Sequence, residues 1–201
     1  MSGSKRTLCI DTKNFNWYDF EEIPSTMDIS VGMAREGCDF WTIVTARKQL
    51  SGRGTHGRSW SSQGGKGLWI STILPPPEKP EYLDNISILT AHALIDCFSE
   101  YTELKFDIKH PNDVVIEGRK IAGILYESVT RGDNVISVVL GMGVNLLQTK
   151  EDLERNGLFE ATSFFVETSK RIERVQFLTS FIRYFKPIYE RSVLRIDTIN
   201  H

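Results

Sequence analysis

The sequence lacks several features that mark common functional classes. Basic residues are not in surplus, because 24 Lys and Arg stand against 26 Asp and Glu, whereas nucleic-acid-binding domains are usually basic. No apolar run approaches the roughly 20 residues of a membrane helix. Lys5, Arg6 and Asp11 occupy the place where a signal peptide has its apolar core. We therefore expect neither nucleic acid nor a membrane as a partner, and we expect a cytoplasmic location.

Cysteine is scarce and dispersed. Cys9, Cys38 and Cys97 are odd in number and far apart in the chain, so they fit neither a disulfide framework nor the paired spacing of a zinc site. We expect reduced, mostly structural thiols, and the sequence leaves any metal ligands unknown.

Breaker residues are concentrated in one place, the segment 75–80 with four prolines. No internal repeat or low-complexity tract divides the chain. With 201 residues, of which 40% are apolar, the chain is long enough for one sizeable core. We predict a single domain over residues 1–201, with the proline segment as a stiff internal loop.

Residues 52–60, Gly-Arg-Gly-Thr-His-Gly-Arg-Ser-Trp, lie between two strand-like runs. Glycine amides can converge on a ligand, because glycine tolerates positive φ angles. Arginines add planar charged forks for phosphate or carboxylate oxygens, and tryptophan offers a flat face for an aromatic base. An ordinary solvated turn is the alternative. The loop predicts an anionic, nucleotide-like ligand.

The apolar pattern predicts strands and helices in mixed order. Helices are predicted from Ser25 to Gly37 and, from apolar residues at spacings of three and four, over residues 86–98 and 177–189. Gly118 and Gly132 predict hairpin turns. Strands are predicted over 16–23, 41–46, 67–74, 105–109, 114–117, 120–127 and 135–141. This order favours an α+β fold with a mixed, largely antiparallel central sheet flanked by helices.

Three further segments carry polar or glycine residues at strand ends: Lys109–Asp113 (Lys-His-Pro-Asn-Asp), Lys120–Glu127 (Lys-Ile-Ala-Gly-Ile-Leu-Tyr-Glu) and Gly141–Asn145 (Gly-Met-Gly-Val-Asn). Each has a purely structural alternative: a turn, a strand bulge and a buckled strand, respectively. Their order and combination make the functional interpretation stronger than any one of them alone.

In that order, behind a Gly-Arg loop ending in Trp, these segments closely resemble the biotin protein ligases, also called biotin–[acetyl-CoA-carboxylase] ligases, from about Ser25 to Asn145. The resemblance implies a catalytic domain with a class II synthetase-like fold. It implies formation of biotinyl-5′-AMP from biotin and ATP with Mg²⁺. Biotin then passes to a lysine of the biotin carboxyl carrier domain of acetyl-CoA carboxylase or a related carboxylase.

The resemblance also implies roles for residues. Lys109 would bridge the biotin carboxylate and the phosphate as the main catalytic cation, assisted by Arg58 and Arg53, because two anions must meet in the first step. Lys109 and Arg53 would contact both biotin and the nucleotide. The other implied biotin contacts are Ser25, Thr26, Met27, Gln49, Gly52, Gly54, Thr55 and Gly123. The other implied nucleotide contacts are Arg58, Trp60, Asn112, Lys120 and Asn145.

Trp60 and the pair Ser25 and Thr26 each also have a structural interpretation. Trp60 is expected to stack on adenine and Asn145 to hydrogen-bond its edge, although a buried structural tryptophan is the alternative for Trp60. Ser25 and Thr26 are expected to contact the ureido group of biotin with Gln49, and they also suit a plain helix cap.

Three positions depart from the family pattern. Thr55 stands where the family commonly has a second arginine that helps to hold the adenylate, so early escape of the adenylate is a specific hypothesis. His110 replaces a tryptophan and Met27 an asparagine; we interpret both as local packing changes.

The lengths before Ser25 and after Asn145 lead us to expect neither an N-terminal DNA-binding domain nor the small C-terminal barrel of many relatives. A homodimer remains open, since relatives often pair through a sheet edge. Two other functions also remain open: a lipoate or octanoate ligase of the same fold, and a non-catalytic module that binds biotin or a nucleotide.

Overall fold

The computed structural model describes residues 3–10, 12–62 and 64–195. In this part of the chain, strands alternate with helices in mixed order. The strands are β1 (Gly3–Ile10), β2 (Lys13–Ile23), β3 (Thr42–Gln49), β4 (Gly67–Leu74), β5 (Asp107–Lys109), β6 (Asp113–Ile116), β7 (Arg119–Arg131) and β8 (Asn134–Asn145). The helices are α1 (Thr26–Arg35), α2 (Ile86–Ser99), α3 (Lys150–Arg155), α4 (Phe164–Thr168) and α5 (Arg174–Ser192).

The strands form one sheet in the order β1-β2-β3-β4-β8-β7-β6-β5. β2 and β3 run parallel, because α1 carries the chain from the end of β2 back to the start of β3. The other neighbouring pairs are antiparallel. The prediction of a mixed, largely antiparallel sheet flanked by helices is confirmed.

Helices cover both faces of the sheet, as the alternation of side chains along β4 illustrates. Ile73 packs with Met27 and Ala34 of α1. Ile70 and Leu74 point the other way and belong to the larger core, to which α2 and α5 contribute. Since both faces are covered, every residue of β4 is buried. The sheet is therefore a rigid support for loops at the ends of its strands.

Most predicted elements are present with shifted ends. β4 has the predicted bounds, β7 and β8 extend further than predicted, and hairpins turn at Gly118 and Gly132, where φ is 76° and 60°. The sequence patterns did not predict β1, α3 or α4. β1 is an edge strand that buries only Leu8 and Ile10, so its apolar signal is weak.

The remaining features concern the start of α3, the apolar character of the helices and the thiols. α3 begins with a reciprocal capping box between Thr149 and Asp152. Within the described residues, no helix combines the length and the apolar character needed to cross a bilayer. Cys9, Cys38 and Cys97 are free thiols, and burial raises the pKa of Cys97 well above its ordinary value.

Candidate active site

A cavity of about 190 Å³ lies beside the N-terminal end of α1, over β7 and β8 and under the loop that joins β3 to β4. Its walls come from segments far apart in sequence. They are formed by Thr26, Met27, Gln49, Arg53, Gly54, Thr55, Arg58, Ser59, Trp60, Ser61, Ile70, Asn112, Lys120, Gly123, Ile124, Leu125, Gly141, Met142, Gly143, Asn145, Leu158 and Ala161.

The loop 52–60 is a small hairpin of its own. Arg53 and Ser59 pair as an antiparallel bridge, and the amide of Trp60 donates to the carbonyl of Gly52 at 2.8 Å. The tip, Thr55–Gly57, forms one 3-10 turn with left-handed backbone at its last two residues. Because the two arms are tied together, a contact that holds one arm also holds the other. We call it the loop hairpin.

The indole of Trp60 lies against a floor made by two paired glycines. Gly123 of β7 and Gly143 of β8 are direct cross-strand neighbours. A Cβ on Gly143 would lie 2.2 Å from Trp60 Cε2, and one on Gly123 would lie 2.5 Å from Trp60 Cζ3. No side chain larger than hydrogen fits under the ring. These strand glycines are therefore required by the close approach of Trp60.

Three cations line the cavity: Arg53, Arg58 and Lys120. The Lys120 ammonium lies 2.7 Å from a carboxylate oxygen of Asp113 and 5.1 Å from the ring centre of Trp60, a cation–π geometry. Arg58 donates through Nη2 to the Thr55 hydroxyl at 2.9 Å. Thr55 thus orients Arg58 within the loop hairpin.

Arg53 is held by carboxylates from two other elements. Its Nη1 donates to Asp28 of α1 at 2.9 Å, and its other terminal nitrogen forms an ion pair with Glu127 of β7. Burial acts to lower the pKa of Arg53, but the charges and hydrogen bonds of Glu127 and Asp28 outweigh it. The pKa is raised above its ordinary value, so Arg53 stays charged.

Gln49 organises the N-terminal end of α1. Its Oε1 accepts from the amide of Thr26 at 2.7 Å and from the Thr26 hydroxyl at 3.1 Å, and its Nε2 donates to Ser62 at 2.8 Å. Ser25 occupies the N-cap position without a capping hydrogen bond, and its buried hydroxyl has no partner within the part of the chain that the structure describes. The cap expected of Ser25 is therefore supplied by Gln49, across 23 residues of sequence.

Asn145 and Asn112 are both tied into the protein. Asn145 donates to the carbonyl of Thr162 at 2.9 Å and accepts from Gln148 at 3.0 Å. Asn112 donates to the carbonyl of Ile124 at 2.8 Å, which fixes the turn between β5 and β6 against β7. Each amide keeps some hydrogen-bonding capacity for a ligand, since it has two N–H donors and two oxygen lone pairs.

The structure brings together most of the residues predicted for the site. Ser25 and Gly52 are buried behind the lining, where they support Thr26 and Arg53. Lys109 ends β5 as an exposed side chain outside the lining, three residues before Asn112. Those in the lining are Thr26, Met27, Gln49, Arg53, Gly54, Thr55, Arg58, Trp60, Asn112, Lys120, Gly123 and Asn145.

The remaining wall residues had no role predicted from the sequence. Ile124, Leu125, Gly141, Met142 and Gly143 lie inside motifs that the sequence had already indicated. Leu158 and Ala161 follow α3 in a segment with no sequence signal. They reach the cavity because Ala161 pairs with Lys120 as a parallel bridge.

Comparisons with known proteins agree with this geometry. The sequence profile of the biotin/lipoate A/B protein ligase family matches residues 20–145. The chain is 33% identical over 167 residues to the bifunctional ligase/repressor BirA of Bacillus subtilis, a match that covers 83% of this chain and 51% of that protein. It is 32% identical over 158 residues to the biotin–[acetyl-CoA-carboxylase] ligase of Paracoccus denitrificans, covering 77% of this chain and 64% of that protein.

The fold is similar to that of a solved biotin protein ligase. The structure of the Aquifex aeolicus enzyme in complex with biotin and ATP aligns with a TM-score of 0.70 and 26% sequence identity, over 90% of this chain and 72% of that one. The chain spans about half the length of the Bacillus relative.

Proposed function

The chain belongs to the biotin/lipoate A/B protein ligase family, and from this premise we propose that it is a biotin protein ligase. In the first step, the biotin carboxylate attacks the α-phosphate of ATP, giving biotinyl-5′-AMP and pyrophosphate. In the second step, the amine of an acceptor lysine attacks the mixed anhydride, which forms an amide and releases AMP. The acceptor proposed is a biotin carboxyl carrier domain of acetyl-CoA carboxylase or a related carboxylase.

One observation carries the proposal: a single cavity combines a flat indole, apolar walls and fixed cations. Met27 and Leu125 supply apolar surface suited to the aliphatic part of biotin, and Trp60 supplies a flat face suited to adenine. Arg58 and Lys120 stand in the same lining. Cations are what the first step needs, because a carboxylate and a phosphate repel each other until their charges are neutralised.

The ureido group of biotin needs directional partners. The buried hydroxyl of Ser25 has no hydrogen-bond partner among the described residues, and a buried polar group is costly without a partner. We assign it to the ureido group. Thr26 and Gln49 would hold the same ring through the capacity left by their mutual hydrogen bonds.

Lys109 is the proposed catalytic cation although its side chain lies outside the lining. It forms no ion pair or side-chain hydrogen bond with the part of the chain that the structure describes, and it lies just before the turn that Asn112 anchors. Its four-carbon side chain is therefore free to turn toward a bound phosphate. Asn145 and Asn112 would complete the nucleotide contacts.

Magnesium is proposed to enter as the MgATP complex. Over the described ranges 3–10, 12–62 and 64–195, no group of three or more His, Cys, Asp or Glu side chains is arranged to hold a metal ion. Phosphate oxygens are hard ligands that Mg²⁺ prefers, and the ion usually keeps several waters. The substrate would thus supply most of the metal's ligands.

Mass spectrometry of the acyl-adenylate tests the proposal. The purified chain is incubated with ATP and Mg²⁺ and, in separate reactions, with biotin, lipoate or octanoate. Biotinyl-adenylate alone is the expected product. A lipoyl or octanoyl adenylate would instead assign the chain to the lipoate branch, and no adenylate from folded protein would overturn ligase activity in favour of a binding module.

A further inference from the structure

The guanidinium of Arg53 joins three separate parts of the molecule. Arg53 lies in the loop hairpin, Asp28 in the first turn of α1 and Glu127 in β7. Both partners lie next to the cavity: Met27 precedes Asp28, Leu125 lies two residues before Glu127 on the same face of β7, and both line the cavity. The ion pairs therefore connect the loop hairpin to two walls of the cavity.

We propose that Asp28 and Glu127 are positioning residues that latch the loop hairpin over the cavity through Arg53. Arg53 then acts as the latch, and the substrate anions are neutralised by other cations. The identity of the ligand, biotinyl-adenylate, rests on the proposed function. The latch itself does not depend on that function.

The charges around Arg53 favour this assignment. Both terminal nitrogens of Arg53 contact carboxylates: Nη1 donates to Asp28 at 2.9 Å, and Nη2 forms the ion pair with Glu127. Two carboxylates against one guanidinium leave a net negative charge at this point, which repels a phosphate. Arg58, by contrast, hydrogen-bonds only to neutral groups of Thr55 among the described residues. Arg58 is the loop cation that is available to an anion.

The construction of the loop hairpin explains why one side chain can hold all of it. The bridge between Arg53 and Ser59 ties the two arms together, so fixing Arg53 fixes both arms. Trp60 anchors the returning arm on Gly123 and Gly143, and Arg53 anchors the outgoing arm. The loop hairpin is thus attached at two points on opposite arms.

The exposure of the three side chains is consistent with a latch that opens. Arg53, Asp28 and Glu127 are 39%, 51% and 30% exposed at their side chains. Ion pairs at such exposure are individually weak and are screened by salt. The latch can therefore release for ligand exchange, and salt should weaken it.

Limited trypsin digestion of the ligand-free protein tests the latch without any substrate. Cleavage after Arg58 should be about three- to tenfold faster in Asp28→Asn and Glu127→Gln than in the wild type, and Glu127→Asp should recover part of the protection. Glu22→Gln is the matched control, because it removes an exposed carboxylate paired with Lys48 on the same sheet. Equal cleavage rates in all variants would overturn the latch.

The release rate of biotinyl-adenylate distinguishes the two possible roles of Arg53, because they predict changes in opposite directions. If Arg53 is a latch, Glu127→Gln releases the adenylate about fivefold faster than the wild type. Added salt should reduce the difference between the two release rates, because it weakens the ion pair in the wild type. If Arg53 is a substrate cation, the same variant frees it, lowers the KM for ATP and slows release, which overturns the latch. If the wild type makes no adenylate, the proposed function fails, and the digestion result still decides the latch.

Discussion

Gly143 lies directly beneath the indole of Trp60: a methyl group on Gly143 would fall 2.2 Å from Cε2 of the ring. Contacts between real Cβ atoms and ring carbons do not occur at that distance, so the ring or the strand would have to move. Gly123, the cross-strand partner of Gly143, repeats the constraint at 2.5 Å. The position of the Trp60 ring is thus set by two backbone segments of the sheet.

Gly143→Ala is expected to displace Trp60. Forcing a methyl group into this contact should cost about 1–3 kcal/mol of unfolding free energy, and it should raise the KM for ATP because the stacking surface moves. Urea unfolding and steady-state kinetics measure the two effects. Gly32→Ala is the control: Gly32 lies inside α1 with no atom near its Cβ position, so alanine should stabilise by up to about 1 kcal/mol. Wild-type values for Gly143→Ala would contradict the contact.

Gln49→Ala is expected to lower stability by about 1 kcal/mol, the usual magnitude of a lost helix cap. The reason is that Gln49 Oε1 accepts from the amide at the start of α1 at 2.7 Å. Gln49→Glu keeps that acceptor and adds a negative charge near the helix N-terminus, so it should retain the stability. Thermal unfolding measures both. Equal losses in the two variants would mean that the acceptor oxygen is not what stabilises the helix.

Lys109→Ala should abolish adenylate synthesis while the fold stays intact. Removal of a charge at the reacting oxygens costs on the order of 100-fold or more in rate. By contrast, Lys109 is exposed and forms no ion pair with any described residue, so its side chain contributes little to stability. Single-turnover synthesis of biotinyl-adenylate and a thermal unfolding curve test this. Lys105→Ala, at another exposed lysine shortly before β5, should keep wild-type synthesis. Wild-type synthesis in Lys109→Ala would refute the catalytic role.

Thr55→Arg is expected to reduce release of free adenylate. Thr55 is a neutral residue at the tip of the loop hairpin, and it hydrogen-bonds only to Arg58 among the described side chains. With Thr55 in place, free adenylate should label exposed lysines of a bystander protein that has no carrier domain. Biotin incorporated into that protein is the measurement. If the wild type labels it no more than Thr55→Arg does, the escape hypothesis is wrong.

The sequence predicted the elements around the site because their signals are local. Apolar spacing predicted α2 and α5, and a strand-like run of mostly apolar residues predicted β4. β1 escaped prediction because an edge strand needs few apolar residues to pair. α3 and α4 escaped because helices of six and five residues are too short for a periodic pattern to emerge.

The residues of the site likewise fall into those that the sequence identified and those that only the structure revealed. The loop hairpin was identified from the types of residue that anion binding requires, and the glycine-containing strands from glycines that let a ligand approach the backbone closely. The helix cap was assigned to Ser25 because sequence rules look for a cap next to the helix, whereas the structure supplies it from Gln49 on β3. Leu158 and Ala161 line the cavity, although no sequence pattern had indicated them.

The sequence by itself determined which residues are able to bind an anion, which segments become strands and helices, and which family pattern the chain follows. Each of these depends on residue type and on spacing over a few positions. The tertiary structure alone decided that Gly123 and Gly143 pair under Trp60, and that Asp28 and Glu127 meet at Arg53. The ion pair of Arg53 with Glu127 alone joins residues 74 positions apart, and only the tertiary packing around the sheet brings such distant residues to one place.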